Sequence, residues 1–348
     1  MVGCGAEAPG EFSATLGQNS EAFVNGGDDR REYFELAEPA QRAALEQFTV
    51  ALMTDSAAAA LTGGHVGVLP TWSEINSLCD GEPFGDQPAA AFCSGVLVDW
   101  DLVLTSGHCV SAIPQPNLRV AFNYYYQAEG ELAMRDEDVY PVGRVVVSRR
   151  DDPTPNDQGE RLDFAWVELE RPAAPPHRPA PTYTRSRGAS ESDRVISIGA
   201  GGGVPIKWDE GGRVRSTRSE FDDYLIADTD TSQGSSGGGI FDEDLVVLGS
   251  LARGAADFAR TDAGCYVTSS ESDPTLAREQ FTYVHRAVEA LCAAGSSSVL
   301  CDDACGEPCD AGALEPLRKK SDDSGCSFAA SAPRGHDDAR GLGVALFG

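Results

Sequence analysis

FCSGVLVDWDLVLTSGHC, Phe92–Cys109, is the stretch on which the reading of the fold turns. Its two short apolar runs, ending at Val98 and Leu104, have strand length and strand composition. His108 follows the second run at once, and Cys93 and Cys109 stand 16 positions apart around the whole stretch. A disulfide between them would fasten the segment bearing His108 to the preceding strand, contributing about 3 kcal/mol for a loop of that length.

Working outward, similar runs recur at Leu118–Tyr126, Val139–Val147 and Phe164–Leu169, each bounded by Gly, Pro, Asp or Asn. That spacing predicts an antiparallel barrel or sandwich. Pro172, Pro175, Pro176, Pro179 and Pro181 follow. A segment so poor in N–H donors cannot lie inside a sheet, so it reads as the crossing between two subdomains. A second strand set comes next, at Val195–Ile198, Arg213–Arg215, Tyr224–Ala227, Gly239–Phe241 and Leu245–Leu251. Phe281–Leu291 starts β-like and continues with helical spacing, predicting a last strand that runs into a closing helix. On the N-terminal side, a helix-like Pro39–Phe48 leads into the apolar Phe48–Met53, and a long small-residue loop is expected before Ala89.

The expected organisation of the 348 residues is a flexible leader over 1–23, one folded unit over 24–295, and a Cys-containing disordered or surface-sorting tail over 296–348. Within the folded unit the first barrel takes about 45–171, the crossing 172–182 and the second barrel 183–295. The chain carries 27 Lys plus Arg against 55 Asp plus Glu, a formal charge of −28, which argues against non-specific binding to nucleic acid or anionic lipid. No apolar run approaches the roughly 18–20 residues that span a bilayer. Ten cysteines favour an oxidising compartment and hence export. Cys301, Cys305 and Cys309 are separated by three-residue gaps with no His among them, so disulfides are the simpler account than zinc, and neither metal nor cofactor is expected. Met1-Val2-Gly3-Cys4 looks like the end of a lipoprotein signal, which would make Cys4 a lipid anchor.

Acyl transfer by a serine needs a hydroxyl beside a base, an acid that orients the base, and donors for the developing oxyanion. Gly234-Ser235-Ser236-Gly237-Gly238-Gly239 supplies the serine, Ser236, in a tight turn between strand-like flanks. Its glycines let the N–H groups of Gly234 and Ser236 form an oxyanion hole. His108 is the base, because His65, His177, His285 and His336 lack its scaffold of strand and paired cysteines. Asp163 is the acid: it opens the apolar Leu162–Leu169, where a partly desolvated carboxylate must find a donor such as an imidazole N–H.

Taken together, FCSGVLV, VLTSGHC, DFAWVEL and GSSGG resemble the four blocks of the chymotrypsin/trypsin-like serine peptidases in order and relative position. Gly26-Gly-Asp-Asp-Arg30, Thr105-Ser-Gly-His108 and Asp230-Thr231 are similar to the bacterial glutamyl-endopeptidase-like group. The resemblance covers roughly residues 24–294 and implies an all-β fold of two antiparallel six-stranded barrels with a short C-terminal helix. It also implies a monomeric bacterial endopeptidase, extracellular or on the cell surface, that acts on polypeptides through an acyl-enzyme. Ser235 replaces the trypsin Asp that pairs with a new amino terminus, so a trypsin-type activation switch is not expected. Ser232 replaces a pocket-wall Cys of trypsin, so Cys265 should have another partner.

Asp230, Thr231, Ala252, Arg253 and Gly254 fall at substrate-binding positions of the resemblance. Asp230, six before Ser236, sits where trypsin-like enzymes place the carboxylate that binds Arg or Lys. The Asp-Thr pair also occurs in Glu-preferring relatives, whose pocket His aligns with Leu251, so the preferred residue stays open. Gly325-Cys326-Ser resembles Cys-based surface-sorting tails of myxobacterial exported proteins.

Two rival functions fit parts of this pattern. Gly234-Ser-Ser236-Gly-Gly238 matches the elbow of α/β-hydrolase esterases, but that fold needs a helix where Gly237–Leu251 is Gly-rich and then β-like. A catalytically inactive homologue serving as a binding module would keep the barrels and lose a catalytic group.

Overall fold

In the computed structural model, which describes residues 24–25, 27–152, 159–254, 256–271, 273 and 276–302, the runs around Phe92–Cys109 become barrel strands. Thr49–Thr54 (β1), Ala91–Asp99 (β2), Leu102–Thr105 (β3), Leu118–Ala121 (β4), Val139–Arg150 (β5) and Asp163–Leu169 (β6) close antiparallel in the order β1-β2-β3-β6-β5-β4. Val96 faces Leu104, and Leu104 faces Trp166, so one layer of large apolar residues runs across three strands. Val50, Leu52, Leu97, Val103, Phe164 and Trp166 are wholly buried. Each such side chain stabilises the fold by about 1.5–3 kcal/mol through area removed from water.

The second set comprises Ile196–Gly199 (β7), Lys207–Asp209 (β8), Val214–Ser216 (β9), Tyr224–Ala227 (β10), Gly239–Phe241 (β11), Val247–Arg253 (β12) and Glu279–Tyr283 (β13). They form one seven-stranded antiparallel sheet, β8-β7-β11-β12-β13-β10-β9. The all-β fold therefore holds, but the second sheet is a half-barrel with two ends rather than a closed six-stranded barrel. Its two ends, β8 and β9, are successive pieces of one stretch, 207–216, and the residues before β7 pair with the β9 end, Val195 N–H donating to Gly212 O at 3.0 Å and Val214 N–H to Asp193 O at 2.9 Å. The segment before the first helix pairs with β8, Arg31 N–H donating to Trp208 O at 2.8 Å and Trp208 N–H to Arg31 O at 3.0 Å.

The crossing segment ties the two sheets, with Ala180 N–H donating to Leu97 O on β2 and Val247 N–H on β12 donating to Pro181 O, both at 2.8 Å. A helix at Val284–Ala293 leaves β13 directly and buries Val284, Ala287, Val288 and Leu291 in the core of the first barrel. Trp166 Nε1 donates to Ala287 O at 2.7 Å beneath it. Residues 296–302, counted with the tail on sequence grounds, pack here too: Cys301 is bonded to Cys292, and Ser298 Oγ donates to Asp99 Oδ2 at 2.7 Å. The expected loop after β1 contains helices at Asp55–Thr62 and Trp72–Asn76. An alanine run with high helix propensity follows Thr54, whose hydroxyl accepts from Ala57 N–H as an N-cap.

Cys93–Cys109 and Cys79–Cys265 are the other two disulfides among the described residues, the second supplying the alternative partner expected for Cys265. Among the described residues no helix is long and apolar enough to cross a membrane. Residues 1–23 with Cys4, Gly26, and 303–348 with Cys305, Cys309 and Cys326 lie outside the described residues.

Candidate active site

His108 is the second residue of a short helix, Gly107–Ala112, that follows β3. The first N–H groups of a helix have no partner within it. Asp163, the first residue of β6, supplies one: its Oδ1 accepts from His108 N–H at 3.1 Å while Oδ2 meets His108 Nδ1 at 2.9 Å. One carboxylate thus fixes both the backbone and the ring of the histidine, and it is itself buried at 3 % exposure. Asp163 is held in turn through its main chain, its N–H donating to Thr282 Oγ1 at 3.2 Å and its carbonyl accepting from the same hydroxyl at 3.1 Å. Thr282 lies on β13, so the acid of one sheet is located by the other.

The loop that carries Ser236 is assembled by peptide planes. Gln233 O accepts from Gly202 N–H at 2.7 Å, and because C=O and N–H point oppositely across a trans peptide, the N–H of Gly234 is turned away from that contact. The next carbonyl, Gly234 O, accepts from Ser94 Oγ at 2.8 Å, and Ser235 O accepts from Gly238 N–H at 2.7 Å. The amides of Gly234 and Ser236 are left with no protein acceptor among the described residues. Two positions require glycine. Gly234 has φ +104° and a Cβ there would meet Ala200 O at 2.6 Å; Gly237 has φ +82° and a Cβ would meet Thr105 Oγ1 at 2.2 Å.

Ser94 on β2 carries the loop to the histidine. Its N–H donates to Ser236 O at 2.7 Å, its hydroxyl accepts from Ala200 N–H at 2.8 Å, and its carbonyl accepts from Thr105 Oγ1 at 2.7 Å. The neighbouring Cys93 is bonded to Cys109, whose Sγ lies 3.7 Å from Ser236 O. Ser236, half-buried, is thereby brought beside the helix that bears His108. Sequence reasoning missed Ser94 and Thr282, which look like ordinary strand residues; a hydroxyl next to Cys93, at the barrel seam, was the available signal. His108, Cys93 and Cys109 form the one cluster among the described residues compact enough for a metal. Both sulfurs are spent in the disulfide, leaving a lone imidazole.

The residues expected to bind substrate divide into two groups. Ala252, Arg253 and Gly254 line an open cleft of about 540 Å³ together with His108 and Asp163. Asp230 and Thr231 are not part of its lining. Asp230, 6 % exposed, accepts from Asn25 N–H at 2.8 Å and Asp29 N–H at 3.3 Å. Burial pushes its carboxyl up to about 7, with the Asp29 carboxylate adding to the rise. Asp209, which accepts from Asp230 N–H at 2.7 Å, is raised as well, by burial and by Asp230. Thr231 Oγ1 donates to the buried Glu279, whose carboxylate also presses on Gly254, where a Cβ would meet it at 2.3 Å.

Arg253 reaches from β12 toward Asp163, its Nη2 3.9 Å from Oδ2, and donates to Asp151 O at 3.3 Å. Burial and the neighbouring Arg161 lower its pKa. A smaller pocket of about 180 Å³ is lined by Trp72, Phe92, Gly202, Gly234, Asp257 and Phe258. Asp257 there accepts from Gln233 N–H at 2.9 Å and is raised to about 6 by burial.

Residues 93–249 match the family model of the trypsin-like peptidase domain, a span that contains His108, Asp163 and Ser236. Among solved structures the chain is similar to kallikrein-related peptidase 10, with 16% identity and a TM-score of 0.42 over 72% of this chain and 95% of that one. It is also similar to neuropsin, a serine protease expressed in the limbic system of mouse brain, with 14% identity and a TM-score of 0.48 over 77% of this chain and 99% of that one.

Proposed function

We propose that the protein is a serine endopeptidase that hydrolyses polypeptides through an acyl-enzyme on Ser236. The observation that carries this reading is the two-point grip of the buried Asp163 on His108, at 3.1 Å to the backbone and 2.9 Å to Nδ1. Holding Nδ1–H in that bond leaves Nε2 as the basic nitrogen, the tautomer a general base requires. In the proposed reaction His108 takes the proton from Ser236 Oγ as it attacks the scissile carbonyl. Asp163 steadies the imidazolium, and His108 then protonates the leaving amine. Water attacks the acyl-enzyme by the same route. The two unspent amides, Gly234 and Ser236, support an oxyanion hole, a device worth roughly 10²–10³ in rate per donor.

A fluorophosphonate probe tests this. It should label Ser236 in the wild-type protein and not in Ser236→Ala, and peptide turnover should fall by roughly 10⁴–10⁶ in that variant. Undiminished peptide cleavage by Ser236→Ala would sink the reading; labelling of Ser236 with ester but no peptide hydrolysis would favour the esterase, and no labelling the inactive homologue.

The domain limits, with a peptidase unit over residues 24–295 between leader and tail, belong to the same proposal. So does a bacterial origin close to the glutamyl-endopeptidase-like group, drawn from the motifs at 26–30 and 230–231. Three disulfides support an extracellular or cell-surface location. A lipid anchor at Cys4 and a monomeric state complete the reading. For the residue before the scissile bond, the buried Glu279 carboxylate beside Thr231 and Gly254 supports a basic side chain, and a substrate-library profile dominated by cleavage after Glu would reject it.

A further inference from the structure

The cleft beside His108 is built against the grain of the chain. With a formal charge of −28, the protein nevertheless lines this cleft with Arg150, Arg161, Arg253 and Arg278. The acids in the same lining are engaged or peripheral. Asp163 is committed to His108, and Asp151 accepts from Leu162 N–H at 2.9 Å and from Arg149 Nε at 2.9 Å, while Asp152 is exposed at the rim.

Two buried polar atoms in the lining lack partners among the described residues: Arg253 Nη1, a donor, and Gln280 Oε1, an acceptor. They belong to facing residues of one strand pair, since Arg253 on β12 is in register with Gln280 on β13. Buried groups of this kind are costly to leave without a partner, and a charged donor gains most from a charged acceptor. A peptide brings both complements: a side-chain carboxylate for Arg253 and a main-chain N–H for Gln280.

The route by which a peptide would arrive is also defined. On its β11 side, β12 is paired only as far as Ser250, with Leu251 held by Gly237 and Gly238, so Ala252–Gly254 present an open strand edge on that side among the described residues. A substrate added to that edge as an extra strand is a common mode of peptide capture. None of residues 230–236 lines the cleft, so its occupant is not the residue seated at the nucleophile loop but those lying beyond His108.

Resting on the endopeptidase reading above, we propose that this cleft selects substrates with acidic side chains two to four residues before the scissile bond. Arg253 is the ion-pairing residue and Gln280 the main-chain acceptor.

Binding separates this inference from the function it rests on. Two pools of N-acetylated tetrapeptide acids, Asp-Asp-Asp-Xaa and Asn-Asn-Asn-Xaa with Xaa an equimolar mixture, mimic the acyl-side product and need no turnover. On the Ser236→Ala protein the Asp pool should bind roughly 10- to 100-fold tighter by competition against a fluorescent Asp-pool tracer. Arg253→Gln should bring the ratio of the two Kd values near one, and Arg253→Glu should invert it; a merely structural role for Arg253 would weaken both pools alike and leave the ratio. Equal binding of the two pools by the Ser236→Ala protein overturns the inference, even if Arg253→Gln does not fold. So does an acid preference confined to Xaa in a sorted library. Absence of fluorophosphonate labelling in the wild type overturns the endopeptidase reading alone.

Discussion

The closed barrel and the half-barrel each carry one side chain of the proposed reaction, His108 and Ser236, and they hold it by different physics. In the barrel, His108 is set by side chains: a carboxylate grips it twice, and a disulfide ties the next residue, Cys109, to β2. In the half-barrel, Ser236 is set by backbone: the carbonyls of Gln233, Gly234 and Ser235 are each accounted for, and glycines occupy positions that a Cβ would spoil. A side-chain grip can be removed by one isosteric change, whereas a backbone grip is spread over several weak contacts. The histidine side should therefore be the more sensitive to a single substitution that leaves the fold intact.

The sharpest way to break that contrast is Asp163→Asn. The amide keeps the shape but can donate, so it no longer enforces the Nδ1–H tautomer, and kcat should fall by about 10⁴ with little change in Tm. Steady-state kinetics beside a thermal melt checks both halves. A small kinetic loss would mean that His108 is not held by Asp163 in the way the geometry requires.

The next effect is on stability. Removing the Cys93–Cys109 bond as a double alanine variant should cost about 3 kcal/mol, given the 16-residue separation. Because Ser94 links the same stretch of β2 to Gly234 and Ser236, urea unfolding should lose its midpoint while fluorophosphonate labelling of the remaining folded protein slows. If labelling of the folded fraction is unchanged, the disulfide stabilises the barrel without tuning the site.

The contrast also explains what could be read in the chain beforehand. The barrel side was legible because its signals are local: short apolar runs, a histidine at a strand end, an acid opening an apolar strand, two cysteines in one stretch. The glycines around Ser236 were equally visible. What stitches them together was not, since Ser94, Thr282 and the Cys79–Cys265 bridge act across 106 to 186 positions and any strand may carry a serine or threonine. The pairing of Arg31 with Trp208 on β8 was illegible for the same reason, because it forms only through the folded topology. Asp230 shows the limit most clearly: its place in sequence points to a substrate pocket, while its carboxylate binds the backbone of Asn25 and Asp29.

That carboxylate gives the smallest test, and it asks whether the half-barrel depends on this N-terminal segment. Asp230 is raised by burial from 3.8 to about 7, so between those pH values the folded protein holds a proton that the unfolded chain has released. Stability contributed in this way is fullest in the ordinary carboxylate range and is lost as the pH rises toward 7, after which it levels. The coupled Asp209, also raised, acts in the same direction. Asp230→Asn cannot ionise, so its unfolding free energy should lose less than the wild type's between pH 5 and pH 8, by on the order of 1 kcal/mol. Hydrogen exchange at Asn25 and Asp29 should follow the same curve, their amides opening more readily at pH 8 in the wild type than in the variant after correction for intrinsic exchange. Parallel pH profiles for the two proteins would show that the segment is held by Arg31, Trp208 and the Lys207–Glu32 pair instead.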